Sequence, residues 1–186
     1  MSSYDRRIRI EQSIMKKELP QFELVETYGE IYFQGWHRTT YKSNDYKLKL
    51  VLPPGFPDQR PKLYIVDPIL LIGKKGDEVV LINSQGVSHE FHTLSNGPNG
   101  CIQICHYNSE SWNSSISCVA VLFKALLWLE AYELHKNHNM TIDEIIKNIR
   151  QSQEQSDIMS SLEKMLFQKD PFNMNGLIIN RIKRGY

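Results

Sequence analysis

Hydrophobic and polar positions along the chain change period several times, and each change marks an element. Residues 4–18 set Ile8, Ile14 and Met15 among Arg6, Arg7, Arg9, Lys16 and Lys17, the pattern of an amphipathic helix that stops at Pro20. Phe22-Glu23-Leu24-Val25 alternates, and Glu30-Ile31-Tyr32-Phe33-Gln34-Gly35-Trp36 is aromatic and β-prone. Tyr46-Lys47-Leu48-Lys49-Leu50-Val51-Leu52 has one apolar and one basic face. Gly29 and Ser43-Asn44-Asp45 supply turns. The prolines of 53–57 interrupt the sheet, because proline cannot donate to a ladder, and Lys62–Val66 returns as a fourth strand. The pattern predicts a four-stranded antiparallel meander.

Two short apolar runs, Ile69–Ile72 and Val79–Ile82, flank Lys74-Lys75-Gly76-Asp77 and predict an inserted hairpin over 69–91. Residues 92–114 have almost no periodicity and are rich in Asn, Gly and Ser, which predicts an extended loop. A helix is expected from the capping residues Ser114-Ser115 to about His135, apolar over most of its circumference and so buried on more than one side. Further helices are expected from Thr141 and over Asp157–Phe167, with Pro171 as a stop. The order predicts an α+β fold in a single domain, 1–170, followed by a basic tail, 171–186.

Composition narrows the classes. The 186 residues can bury a core, and 22 Lys+Arg against 21 Asp+Glu leave no global field to attract nucleic acid or anionic lipid. The most apolar stretch, Val119–Leu129, contains Lys124 and is too short to span a bilayer, and no secretory pattern opens the chain. Three cysteines do not make a disulfide scaffold. A cytoplasmic protein without nucleic-acid or membrane partners is expected. The last residues, Arg184-Gly185-Tyr186, match neither a lipidation signal nor the Gly-Gly end of a ubiquitin-like modifier.

The long irregular loop is where chemistry is expected, since such loops in compact domains are usually functional. It and its approach hold His89, His92, Cys101, Cys105, His106, Glu110 and Trp112. A zinc site built from these histidines and cysteines is disfavoured, because structural sites prefer tight Cys-x2-Cys knuckles and Cys101 and Cys105 are four apart. The zinc-deaminase signature is absent as well: Glu90 directly follows His89, and three residues separate the cysteines. Neither metal nor cofactor is expected. Cysteines are also often buried as small apolar side chains, and Cys118 fits that description best. The same buried reading stays open for Cys101 and Cys105, and the third reading is nucleophilic cysteine chemistry, with amide side chains of the Asn-rich approach available to an oxyanion.

With these residues in view, the chain resembles the divergent bacterial ubiquitin-conjugating enzymes over roughly residues 5–136. The likeness rests on the basic N-terminal helix, the meander and the proline-rich end of the strand 46–52. It continues through Arg60-Pro61-Lys62-Leu63 and Gly100 before Cys101, then Trp112 ahead of an apolar helix and Trp128-Leu129-Glu130-Ala131-Tyr132-Glu133. His92 stands where the family has the histidine of its His-Pro-Asn motif, but His92-Thr93-Leu94 departs from that motif. The resemblance implies a UBC-like fold and a protein C-terminus carried as a cysteine thioester, then passed to an amine. The cargo would be a ubiquitin-like protein or, in CBASS antiphage operons, a cyclic-nucleotide synthase, with an activating enzyme as a partner in some systems. Cys101 is the favoured nucleophile, because Gly100 and the Asn-rich approach are expected to leave it exposed. Cys105, preceded by Ile104, is the alternative. Asn96 is assigned to the oxyanion, and Glu110 and Trp112 to positioning the incoming amine. The rival on the same scaffold is a non-catalytic protein-binding module.

Overall fold

A computed structural model describes residues 2–107, 110–138 and 140–154. The helix expected over Asp157–Phe167, the stop at Pro171 and the 171–186 tail lie outside the described residues. The fold is α+β: an N-terminal helix, an antiparallel sheet and C-terminal helices.

Helix α1 (Ser3–Glu18) opens on a reciprocal capping box, in which the Ser2 hydroxyl accepts from Asp5 N–H (3.0 Å) and the Asp5 carboxylate accepts from Ser2 N–H (2.9 Å). It buries Ile8, Glu11, Met15 and Glu18, one stripe at helical spacing. Strands β1 (Phe22–Thr27), β2 (Glu30–Arg38), β3 (Asp45–Leu52) and β4 (Lys62–Asp67) form the expected meander. The alternation read in 46–52 is the burial pattern: Tyr46, Leu48, Leu50 and Leu52 are buried and the residues between them are not.

The sheet does not stop at four strands. Beyond the hairpin β5 (Ile72–Lys75) and β6 (Glu78–Leu81), two short strands, β7 (Thr93–Leu94) and β8 (Ile102–Ile104), extend it to six in the order β1-β2-β3-β4-β8-β7. The expectation of a structureless 92–114 is corrected here. Ile102 and Ile104 are buried and pair the chain with β4 through Ile65↔Ile102 and Tyr64↔Gln103. Such a segment is too short to announce a period of two. The hairpin of β5 and β6 falls inside the expected 69–91 but covers only Ile72–Leu81, with a 3-10 turn at Ile82–Gln85 after it, and forms its own two-stranded sheet.

Helix α2 (Cys118–Asn137) starts later than Ser114-Ser115, with Ser117 as its N-cap. Arg7 explains the delay, donating to the Ser114 carbonyl (2.7 Å) and the Ile116 carbonyl (3.0 Å). Its neighbour Glu11 accepts from Cys118 N–H (2.8 Å) and pairs with Arg7. The resulting clamp neutralises buried Glu11 and uses an orphan N–H of the helix start. As expected, α2 is buried nearly all round, with Trp128 stacked on Tyr132 and donating to the Phe91 carbonyl (2.8 Å). Helix α3 (Ile142–Glu154) follows a second capping box, Thr141 with Glu144.

Candidate functional site

Strands β7 and β8 form a hairpin against β4, and the candidate residues divide between its two ends. The turn end is 95–101. Gly97 N–H donates to the Cys101 carbonyl (2.8 Å), and Cys101 N–H donates to the Pro98 carbonyl (3.3 Å). Gly97 lies so close to Tyr64 that a Cβ there would be 2.3 Å from the ring and 3.0 Å from the Cys101 sulfur. The turn therefore packs Tyr64 down onto the thiol. Cys101 is 4% exposed, and burial pushes its thiol pKa up, against weaker opposing effects that include Lys49. The exposure expected of Cys101 is thus not what the fold provides. Its side chain is enclosed by Tyr64 and the turn.

Asn96 is at this same end. Its side-chain amide donates to the Asn83 carbonyl (2.7 Å). The buried Asn83 side chain in turn donates to the Ile69 and Gly100 carbonyls (both 2.8 Å) and accepts from Leu71 N–H (2.9 Å). Asn96 and Asn83 together tie the turn to the base of the β5–β6 hairpin.

The opposite end holds Cys105 and His92. Cys105 is half-buried, the more exposed of the two loop cysteines. Its N–H donates to the His92 carbonyl (2.9 Å), just beyond the Thr93↔Ile104 pair that ends the β7–β8 ladder. His92 closes a tight loop from Ser88 and has φ +54, a conformation in which side chains other than glycine are uncommon. Its Nε2 is 2.9 Å from an Asp143 carboxylate oxygen, and the other carboxylate oxygen pairs with Lys147. Asp143 N–H donates to the Glu90 carbonyl (3.1 Å), so the start of α3 is bound to the loop that carries His92. Hydrogen bonds and the charges of Lys147 and His92 outweigh desolvation and keep the Asp143 pKa below its usual value.

After Cys105 the chain turns into an aromatic cluster. His106, Tyr107 and Trp112 meet edge to face. Trp112 Nε1 donates to the Pro57 carbonyl (2.9 Å), and buried His106 pairs through Nε2 with the Pro61 carbonyl (2.8 Å). Burial drives the His106 pKa down to about 4, so the ring is neutral and donates there. Arg60 holds the Tyr107 carbonyl. The proline-rich link between β3 and β4 is therefore the wall on which the segment after Cys105 rests. Trp112 belongs to that wall, while Glu110 is exposed at the turn before it.

The structure thus sets Asn96 in the same turn as Cys101, and joins the His92 carbonyl to the Cys105 N–H. Among the described residues no three His, Cys, Asp or Glu side chains are arranged to hold a metal ion, and the cysteines are free thiols. Cys118 is buried at the start of α2, where burial and Glu11 raise its thiol pKa well above normal. Sequence reasoning missed two residues here. Asp143 reads only as a first-turn acid of a helix, and nothing in the spacing links it to His92. His106 is one of several loop histidines until its burial is known. Among the described residues no helix is long and apolar enough to cross a membrane. No protein-family model, curated protein or solved structure matches this chain.

Proposed function

We propose that this chain is a UBC-like cysteine acyl carrier in which Cys105, the alternative nucleophile, carries the acyl group. The protein C-terminus it takes up is a ubiquitin-like protein or a cyclic-nucleotide synthase, as expected of a bacterial antiphage system, and the acceptor is an amine. The observation that carries the reading is the contrast between the two loop thiols. Cys101 is 4% exposed and held by Tyr64, whereas Cys105 is half-buried at the open end of the hairpin beside His92. A thiol must be reachable and partly ionised to accept an acyl group.

The surroundings of Cys105 support the same role. The element order of helix, antiparallel meander, cysteine-bearing hairpin and helices agrees with the sequence resemblance. The aromatic wall of His106, Tyr107 and Trp112 lends rigidity to the chain beside the thiol, which a site that must exclude hydrolysis requires. Asn96 lies in the turn at the far end of the hairpin from Cys105, with its amide on the Asn83 carbonyl. Its role under this reading is to build the hairpin turn, and the oxyanion assignment is withdrawn.

The test is the intact mass of the chain incubated with its natural partner proteins. A partner adduct that a thiol reductant releases is expected, lost in Cys105→Ala and kept in Cys101→Ala. An adduct that survives Cys105→Ala contradicts the assignment.

A further inference from the structure

We infer that this chain pairs with a second copy of itself through the outer edge of strand β6, antiparallel across a two-fold axis at Val79. The pairing is independent of the acyl chemistry proposed above. It starts from where the backbone groups of the β5–β6 hairpin point. Lys74 N–H donates to Nε2 of His135 on α2 (2.9 Å), and the Ile72 carbonyl accepts from the Tyr132 hydroxyl (3.0 Å). Both groups therefore face away from β6. Opposite residues of an antiparallel ladder alternate between pairs bonded to each other and pairs that are not. Lys74↔Val79 and Ile72↔Leu81 are thus of the second kind, and Val79 and Leu81 turn their own backbone groups outward. The bond from Ile82 N–H to the Leu71 carbonyl (2.8 Å) fixes the same phase. The Leu81 carbonyl accepts from the Ser84 hydroxyl (2.7 Å). At Val79 both the N–H and the carbonyl stay without a partner among the described residues.

The side chains agree with the backbone. Gly73 is pressed onto the body of the protein, where a Cβ would be 2.9 Å from both His135 and Phe91, so the hairpin is held on that face. On the opposite face Ile72, Val79 and Leu81 are exposed. Monomeric proteins blunt such edges with charge, brevity or cover. The large sheet does so: its edge strand β1 carries Glu23 and Glu26, the latter paired to Arg9 (3.2 Å), and its other edge, β7, has only two residues. Strand β6 is charged only at its Glu78 end.

A second copy is the occupant that fits. A two-fold contact sets one patch against itself, so its groups must be self-complementary. With the axis at Val79, the N–H and carbonyl of that residue meet the carbonyl and N–H of the same residue in the copy. Glu78 then falls opposite Val80, and Leu81 opposite Asp77, so no like charges are opposed. The balance of 22 Lys+Arg against 21 Asp+Glu adds no net repulsion between copies. A four-residue edge with its apolar face makes a small contact, below the roughly 1,200 Å² at which standard interfaces begin, so the dimer is weak, with a dissociation constant of about 10–100 µM.

The experiment is sedimentation velocity of the full chain in thiol reductant from about 1 to about 300 µM, a range that brackets that constant, with hydrogen exchange at the Val79 amide. The average mass is expected to rise from the 21.7 kDa of one chain toward twice that value. Exchange at Val79 should slow about three- to eightfold at the upper concentration, following the fraction of chains left unpaired. Val79→Pro removes the outward donor and no bond inside the hairpin, and Val79→Lys places a charge at the axis. Both are expected to stay monomeric throughout, while Ile10→Lys, at an exposed position of α1, should dimerise like the parent. Val79→Lys keeps the backbone intact and carries the test should Val79→Pro unfold the hairpin. A parent chain that stays monomeric at about 300 µM overturns the inference, even if it takes up an extended segment of another protein at β6. A dimer that persists in Val79→Lys, or that forms without slowing exchange at Val79, overturns it as well.

Discussion

The backbone N–H of Cys105 donates to the His92 carbonyl across 2.9 Å. That bond decides which thiol neighbours the histidine. Cys101 lies at the other end of the same short strand, against Tyr64 and Gly97. Selective chemistry at neutral pH is therefore expected from one of the three cysteines. Iodoacetamide at pH 7 should modify Cys105 at least about tenfold faster than Cys101 or Cys118, whose thiols burial holds protonated. Peptide mapping reads the ratio. Slow and uniform labelling of all three would favour the non-catalytic module.

Gly97 is the point at which the turn depends on having no side chain. Gly97→Ala would push a methyl into the Tyr64 ring, 2.3 Å from its ideal position. A cost of about 1–3 kcal/mol is expected, as for other overpacked sites. Denaturant melts give the stability change. Faster labelling of Cys101 in the same variant would show that Tyr64 and the turn are what shield it.

The clamp of Arg7 and Glu11 holds the start of α2. Glu11→Ala removes the acceptor for Cys118 N–H and the partner of Arg7. A loss of about 2–3 kcal/mol is expected, in the range for hydrogen bonds to charged groups. The rate of Cys105 labelling should stay the same, because the clamp is at the other end of the long loop. A loss below about 0.5 kcal/mol would mean that α2 is anchored by packing alone.

Two histidines make the fold sensitive to acid. His106 is neutral with its pKa pushed down to about 4, and His135 is also lowered by burial, with its Nε2 accepting from Lys74 N–H and its Nδ1 on the Met140 carbonyl. Both are ordinary histidines near 6.5 once unfolded. The unfolded chain therefore binds more protons in this range, and stability falls as pH drops from about 6.5 toward 4. For His106 the full loss is about 3 kcal/mol. Melting temperature should be insensitive to these two groups above pH 7 and decline below 6.5. His106→Gln should flatten much of the slope.

The elements legible in the sequence are those whose signal is local and repeated. The 46–52 alternation, the charged tip between the two runs of the inserted hairpin and the apolar circumference of α2 each specify one structure by period alone. Strand β8 was not legible, because Ile102-Gln103-Ile104 is three residues long and its strand character comes from pairing with β4. The choice between cysteines turned on the same gap. Glycine before Cys101 reads as access in a sequence, yet Gly97 brings Tyr64 over the sulfur. Asp143 is 51 positions from His92. Their meeting depends on where α2 ends and α3 begins, which no motif records.

The most direct test of the account is the intact mass of this chain after incubation with its natural partner proteins, with and without thiol reductant. The account predicts a partner adduct on Cys105, released by reductant, absent in Cys105→Ala and retained in Cys101→Ala. A chain that forms no reductant-sensitive adduct with its partners, or one whose adduct persists in Cys105→Ala, would contradict it.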